Sequence, residues 1–247
     1  MELDGRVAIV TGGAQETGRA IARRLAGQGA IAVIADVDAE RGEAAARELG
    51  STGGRAVFVA TDVTDDDALR RLIAAADQGR GGPHVLVNNA GGWGPANYPE
   101  ATPEQWSRTL DLNLRAAMLA TQLALAPMRA AGGGAVVNVA STAGVASGAY
   151  ASPDYGAAKA GLVRFTTSLA DWRERMNVRV NCVVPDWIAT ERGQSELARM
   201  TPAEREQAPT QVPMDDVVDA VLDLIRDDDL AGRVLLLRGG EPRRFLT

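Results

Sequence analysis

At 247 residues the chain can bury a full core, and an open α/β sheet of this size is commonly one domain. A net charge of −6 and a pI near 5.0 argue against a nucleic-acid binder, which needs a concentrated basic surface. One cysteine, Cys182, excludes an intramolecular disulfide and a cysteine-rich metal site.

In chain order, short β-branched runs alternate with alanine-rich helical stretches, the grammar of βαβ units. Met1 to Arg6 lacks the basic-then-apolar pattern of a secretory signal, and no apolar stretch approaches the 18 or so residues that span a bilayer; a cytoplasmic protein with no membrane partner is expected. A strand at 7–10 leads through Thr11-Gly12-Gly13-Ala14-Gln15-Glu16-Thr17-Gly18 into a helix at 18–28. Glycines in such a turn let backbone amides and a helix N-terminus approach a pyrophosphate. The second strand, 31–35, ends at Asp36, where a carboxylate can accept from a ribose diol and repels a 2′-phosphate; as a plain turn or helix-capping residue Asp36 would need no ligand.

A helix at 39–49 precedes the third strand, 56–60, and Asp62-Val63 could set a carboxylate and a backbone group beside an adenine. A helix at 66–78, with the aspartates 65–67 at its N-terminus, and a glycine loop at 79–82 follow. The sole histidine, His84, opens the strand 85–88, and no hydroxyl-and-carboxylate pattern points to it as part of a triad. Asn88-Asn89-Ala90-Gly91 closes that strand with small residues that would let a ligand lie against backbone. A long helix at 103–129 contains Asn113; it could be a site residue or bond a neighbouring carbonyl in a helix kink.

After the 132–134 glycines and the strand 135–140, Ser141 is by default a strand-end hydroxyl capping a turn. The helix 154–175 carries Tyr155 and Lys159, offset by about 40° around the axis, so phenol and ammonium project from one face. At roughly 5 Å and an effective dielectric of about 20, the ammonium would favour phenolate by about 3 kcal/mol. That brings a phenol within range of acid/base work at a carbonyl or alcohol oxygen. Such a pair alone is more often a solvated helix face.

The strand 178–183 holds Cys182 as core filler. Pro185-Asp186-Trp187-Ile188-Ala189-Thr190 follows, then a polar stretch, 191–213, which reads either as a substrate lid (about 190–213) or as a surface excursion. A helix at 215–226, a solvated turn at 227–229 and a strand at 234–237 complete the chain, with Arg233, Arg238, Arg243 and Arg244 as a solvated edge or subunit contact. The expected architecture is a single Rossmann-like domain, 1–247, with a doubly wound parallel sheet of about seven strands and helices on both faces. Trp93, Tyr150 and Trp187 lie on loops expected at one edge of the sheet, as pocket lining or as interface anchors, whereas Trp106 and Trp172 look like helix packing.

The order of these motifs resembles the short-chain dehydrogenase/reductase family over nearly the full length. The resemblance implies a catalytic tetrad of Asn113, Ser141, Tyr155 and Lys159. Tyr155 would be the acid/base, Ser141 would polarise the substrate oxygen, Lys159 would bind the nicotinamide ribose, and Asn113 would hold a water in a proton relay. It also implies a cofactor site at Gly12, Gln15, Glu16, Thr17, Gly18, Asp36, Asp62, Val63, Asn89, Ala90, Gly91, Tyr155, Lys159, Pro185, Ile188 and Thr190. Trp93, Ser141, Tyr150 and Trp187 would face a small alcohol or ketone substrate, and no metal is expected. NAD is favoured over NADP, because Asp36 is followed by Val37, and Gln15 stands where NADP users of the family often carry a basic residue. Family members are commonly homotetramers or dimers.

Two departures from the family pattern stand out. Glu16 replaces the middle glycine of the turn, so inward placement would repel the cofactor and outward placement would leave only local strain. Asp186 replaces the usual glycine after Pro185, where a carboxylate would favour the cationic oxidised ring. Two functions follow: an NAD-dependent alcohol/ketone oxidoreductase, or a binding or sensor protein impaired in cofactor use by Glu16.

Overall fold

In the computed structural model, which describes residues 1–78, 81–93, 99–146 and 152–246, the β-branched runs form strands and the alanine-rich runs cover them. The elements in order are β1 (Val7–Thr11), α1 (Glu16–Gly27), β2 (Ile31–Asp36), α2 (Ala39–Ser51), β3 (Arg55–Ala60), α3 (Asp66–Asp77) and β4 (Val85–Asn88). The second half runs α4 (Pro103–Leu110), a π-helical turn (Asp111–Arg115), α5 (Ala116–Ala130), β5 (Gly134–Val139), α6 (Pro153–Thr167), α7 (Trp172–Met176) and β6 (Val178–Pro185). It ends with α8 (Glu191–Arg199), α9 (Pro202–Gln207), α10 (Met214–Arg226), β7 (Val234–Leu237) and β8 (Arg244–Leu246).

Among the described residues these strands form one sheet in the order β3-β2-β1-β4-β5-β6-β7-β8, parallel up to β7 and antiparallel at β8. Val10 pairs with Ile34 on one side and Val87 on the other, so the winding direction reverses between β1 and β4. Loops leaving those two strands must diverge, and the gap between them is where open α/β sheets receive ligands.

Alternation within each strand feeds two cores. Ala8 and Val10 turn toward α1 and α10, packing with Ile21, Leu25, Val221 and Ile225. Val7 and Ile9 turn the other way, against Leu69 and Leu72 of α3 and Ala120 and Met128 of α5. A third cluster joins Leu162 of α6 to Cys182 and Val184. Fully burying a Leu or Ile contributes about 2 kcal/mol, so these faces hold the helices to the sheet.

Beneath the β4 and β5 ends lies a buried polar network. Asn88 Nδ2 donates to Asn138 Oδ1 at 2.8 Å and to Thr121 Oγ1 of α5 at 3.0 Å. Asn138 Nδ2 donates to Thr166 Oγ1 of α6 at 2.9 Å, and that hydroxyl donates to Leu162 O. Both strands and both long helices are thus tied at one depth, which specifies how α5 and α6 stand over the sheet.

Three expectations need correction. The helix expected at 103–129 is divided by the π-helical turn, because Asn113 donates to Thr109 O, competing with the regular ladder, and is also bonded to Gly92. The helix expected at 154–175 ends at Thr167, where the Thr167 and Ser168 hydroxyls donate back to Arg164 O, and resumes as the short α7. At the C-terminal arginines the expected solvated edge is formed by an eighth, exposed edge strand, with Arg233 lying over the Phe245 ring. In addition, Trp106 is exposed on α4, a helix with no buried residue, while Trp172 packs on the α3/α5 core as expected.

Removing one member of the network should strand its partners. Asn138→Ala leaves Asn88 Nδ2 and Thr166 Oγ1 each short of a bond, so urea unfolding should show a loss of about 2–3 kcal/mol.

Candidate active site

The turn after β1 is held open by one hydroxyl and one amide. Thr11 Oγ1 accepts from Asn89 N and Ala90 N, each at 3.0 Å, while Asn89 Nδ2 donates to Thr11 O and Gly12 O. Gly12 has φ +61°, and a Cβ there would stand 3.0 Å from Ala90 Cα; a Cβ at Gly18 would collide with Gly12 O. Only glycine fits both positions. The result is a cavity of about 650 Å³ between the β1 and β4 loops, within the range of cofactor pockets.

Gly12, Gln15, Glu16, Thr17 and Gly18 line its floor, and Asp36, Asp62 and Val63 one flank; Asn89, Ala90 and Gly91 form its wall. Asp36 is nearly buried and accepts from Ala14 N and Asp38 N, whereas the cap of α2 is Asp38 rather than Asp36. Thr64 donates its hydroxyl and its amide to Asp62, which holds that carboxyl below its ordinary value. Pro185, Ile188 and Thr190 line the opposite flank, where Ile188 bridges to Val212 and Thr190 Oγ1 accepts from Gly193 N, its own proton donated to none of the described residues.

Glu16 adopts φ +43°, a left-handed conformation that costs little for glycine and more for any other residue. Its side chain is exposed and does not fold into the turn. Glu16 Oε1 instead accepts from Arg192 N at 3.2 Å, joining the turn to the N-terminus of α8. The strain therefore comes with a favourable contact between a carboxylate and a helix N-terminus.

Tyr155 and Lys159 occupy the first turns of α6, both buried, with Lys159 Nζ 5.5 Å from the Tyr155 ring centre and donating to Val139 O at 2.9 Å. Burial lowers the ammonium from 10.5 to about 8, partly opposed by Cys182. Ser141 lines the same cavity and caps the short helical turn after β5, its Oγ accepting from Ala143 N. Asn113 is buried below them. Its Oδ1 accepts from Gly92 N, and its Nδ2 donates to Gly92 O and Thr109 O. A Cβ on Gly91 would lie 2.8 Å from Asn113 Oδ1 and 3.2 Å from Lys159 Nζ, so this glycine lets the two side chains meet the wall.

Trp93 and Trp187 line the cavity, the Trp93 ring 5.3 Å from that of Tyr155 and tilted 59° to it; Tyr150 lies outside the described residues. Asp186 Oδ1 accepts from Thr142 Oγ1 and Trp187 N, both at 3.0 Å. His84 is apart from this cavity and accepts from Val7 N at Nδ1; burial, then Arg6, holds its pKa below 6.5.

Sequence reasoning missed two cations. Arg192 places its guanidinium 4.2 Å from the Trp93 ring centre, and Arg41 reaches Gln15 Oε1 while pairing with Asp38. Arg41 follows from helical spacing, since the first turn of α2 overhangs the β2 end. Arg192 carried only the signal of its place, two residues past Thr190.

The buried ammonium has a stability signature. Between about 8 and 10.5 the unfolded chain binds a proton at Lys159 that the fold has released, so stability rises with pH. Above about 9 the Cys182 thiol, pushed up to about 12 by burial, works in the opposite direction, because the unfolded thiol loses its proton first. Urea melts should therefore show a gain of about 1 kcal/mol between pH 8 and 9 that Lys159→Met lacks, the variant being the more stable at neutral pH by about 1–3 kcal/mol.

Comparison with known proteins agrees with this geometry. The model of the short chain dehydrogenase family matches residues 6–200. The 4-formylbenzenesulfonate dehydrogenase of Comamonas testosteroni is 38% identical over 252 residues, covering 97% of this chain and 99% of that protein. The cis-4-hydroxycyclohexanecarboxylate dehydrogenase of Sinomonas cyclohexanicum is 39% identical, covering 95% and 96%. Among solved structures, a 7α-hydroxysteroid dehydrogenase complexed with NADH and 7-oxo glycochenodeoxycholic acid superposes with a TM-score of 0.88 at 27% identity, covering 99% of this chain and 97% of its own. The chain belongs to the short-chain dehydrogenase/reductase family of oxidoreductases.

Proposed function

We propose that the protein interconverts a secondary alcohol and a ketone with NAD as hydride carrier and Tyr155 as acid/base. The observation that carries this reading is the buried Tyr155 and Lys159 pair, 5.5 Å from ring centre to Nζ, opening into the cavity formed by the glycine turn. A cation at that distance favours the phenolate and so eases proton transfer.

The residues present fit the dinucleotide. Gly12, Gln15, Glu16, Thr17 and Gly18 would lie along its diphosphate and adenosine ribose, with Asp36 on the ribose diol and Asp62 and Val63 beside the adenine. Asn89, Ala90 and Gly91 would back it, Lys159 would hold the nicotinamide ribose, and Pro185, Ile188 and Thr190 would hold the carboxamide. When bound, the cofactor supplies a hydride acceptor or donor at its nicotinamide ring. Ser141 positions the substrate oxygen, and Tyr155 takes or gives the proton at that atom. Asn113 spends both amide hydrogens on carbonyls and keeps one Oδ1 lone pair for a relay water. Asp186, held by Thr142, would favour the oxidised ring. Trp93 and Trp187 would flank a small or medium, partly apolar substrate; the names of both curated relatives describe ring compounds carrying an acid group. The segment 190–213, with α8 and α9, would serve as the substrate lid. A cytoplasmic homotetramer or dimer, built on α5, α6 and the last strands, completes the reading; Met118 and Phe245 are exposed on those elements.

Glu16 supports a second reading, a sensor or binding subunit that has lost productive cofactor use, because a strained, charged residue replaces a glycine at the turn. Calorimetric titration separates the two. NAD⁺ should bind, Glu16→Gly should tighten it, and Tyr155→Phe should lower turnover by about a thousandfold or more with affinity nearly unchanged. No binding of NAD⁺ or NADP⁺ at millimolar concentration would leave the second reading standing.

Cofactor choice has its own test. Asp36→Ala should shift the NADP⁺ to NAD⁺ ratio of kcat/KM toward NADP⁺ by about tenfold or more, and adding Arg41→Ala should reverse part of that shift, since Arg41 is the cation at this corner.

A further inference from the structure

The cavity holds more carboxylates than cations, yet its carboxylates already have donors. Asp36, Asp62 and Asp186 each accept two hydrogen bonds, Glu16 accepts from the Arg192 amide, and Glu196 accepts from Arg192 Nε. Of the cations that line it, Lys159 is buried behind Tyr155 and bonded to Val139 O. Arg192 is different. Its Nε donates to Glu196 at 3.0 Å, a pair one helical turn apart and largely exposed, of the kind that exchanges readily with solvent. Its terminal nitrogens, Nη1 and Nη2, make no hydrogen bond among the described residues. The residue is nonetheless anchored at both ends: its backbone amide donates to Glu16, and its guanidinium carbon lies over the Trp93 ring, 4.2 Å from the ring centre. Trp93 in turn rests 5.3 Å from Tyr155.

From this we infer that Arg192 and Trp93 form the specificity site for the substrate, and that the substrate carries an oxyanion, a carboxylate or sulfonate, next to a flat or cyclic apolar frame. This rests on the oxidoreductase reading and adds the substrate class. A guanidinium stacked on an aromatic face keeps its edge free for bidentate pairing with such a group. The alternative oxyanion is the coenzyme's diphosphate. The contacts of the side chain favour the substrate: the Arg192 amide meets Glu16 of the glycine turn, whereas the guanidinium lies over the ring that stands 5.3 Å from Tyr155.

The test uses benzoate and benzamide, two flat probes of the same frame that differ in charge, titrated calorimetrically into the protein with and without saturating NADH. Benzoate should bind at least tenfold more tightly than benzamide. Arg192→Met should erase that preference while leaving the NADH dissociation constant within about twofold, Arg192→Lys should retain part of it, and Trp93→Ala should weaken both probes. Equal binding of the two probes, binding of neither, or a preference that survives Arg192→Met overturns the proposal. A loss of NADH affinity in Arg192→Met with the benzoate preference intact assigns the guanidinium to the diphosphate and also overturns it. Failure of the wider oxidoreductase reading would look different: NADH would not bind, while the titrations without coenzyme would still report on Arg192.

Discussion

One short set of hydrogen bonds keeps the two halves of the sheet apart at their carboxyl ends. Where β1 and β4 part, the Thr11 hydroxyl and the Asn89 amide bridge the diverging loops, so neither loop needs the other's backbone to satisfy its own polar groups. The crevice exists because its walls are satisfied without filling it. Glycines at 12, 18 and 91 then remove Cβ atoms that would collide with its walls, and Ser141, Tyr155 and Lys159 are delivered to its lining by α6 and by the turn after β5.

The second constraint is electrostatic. A nearly dry ammonium at Lys159 is unfavourable for the fold, and its burial lowers its own proton affinity toward the physiological range. The fold accepts that because α6 is held elsewhere, by Leu162 in an apolar cluster and by Thr166 in the asparagine network below. Stability is thus gathered one to two helical turns away from the buried ammonium.

The strands were legible because β-branched runs buried on both faces leave few other readings, and the meeting of the glycine turn, Asp36, Ser141, Tyr155 and Lys159 in one cavity was legible because their order is a pattern of the family. What escaped was set by contacts between distant segments. The bonds between Asn113 and Gly92, twenty-one positions earlier, add a distant tie to the helix kink that this asparagine allowed for. The course of Glu16 toward α8 depends on the Arg192 amide, 176 positions away. The break after Thr167 has neither glycine nor proline to announce it; hydroxyls folding back on Arg164 O end the helix. Nothing local distinguished Arg192 from its exposed neighbours, since its meaning comes from the Trp93 ring under it.

The single thiol of the chain sits at the centre of β6 with no exposure, in a setting that keeps it protonated. An alkylating reagent can therefore meet Cys182 only when the sheet itself has come open. Labelling kinetics at this one sulfur would count such openings directly, giving the protein a built-in clock for the persistence of its own core.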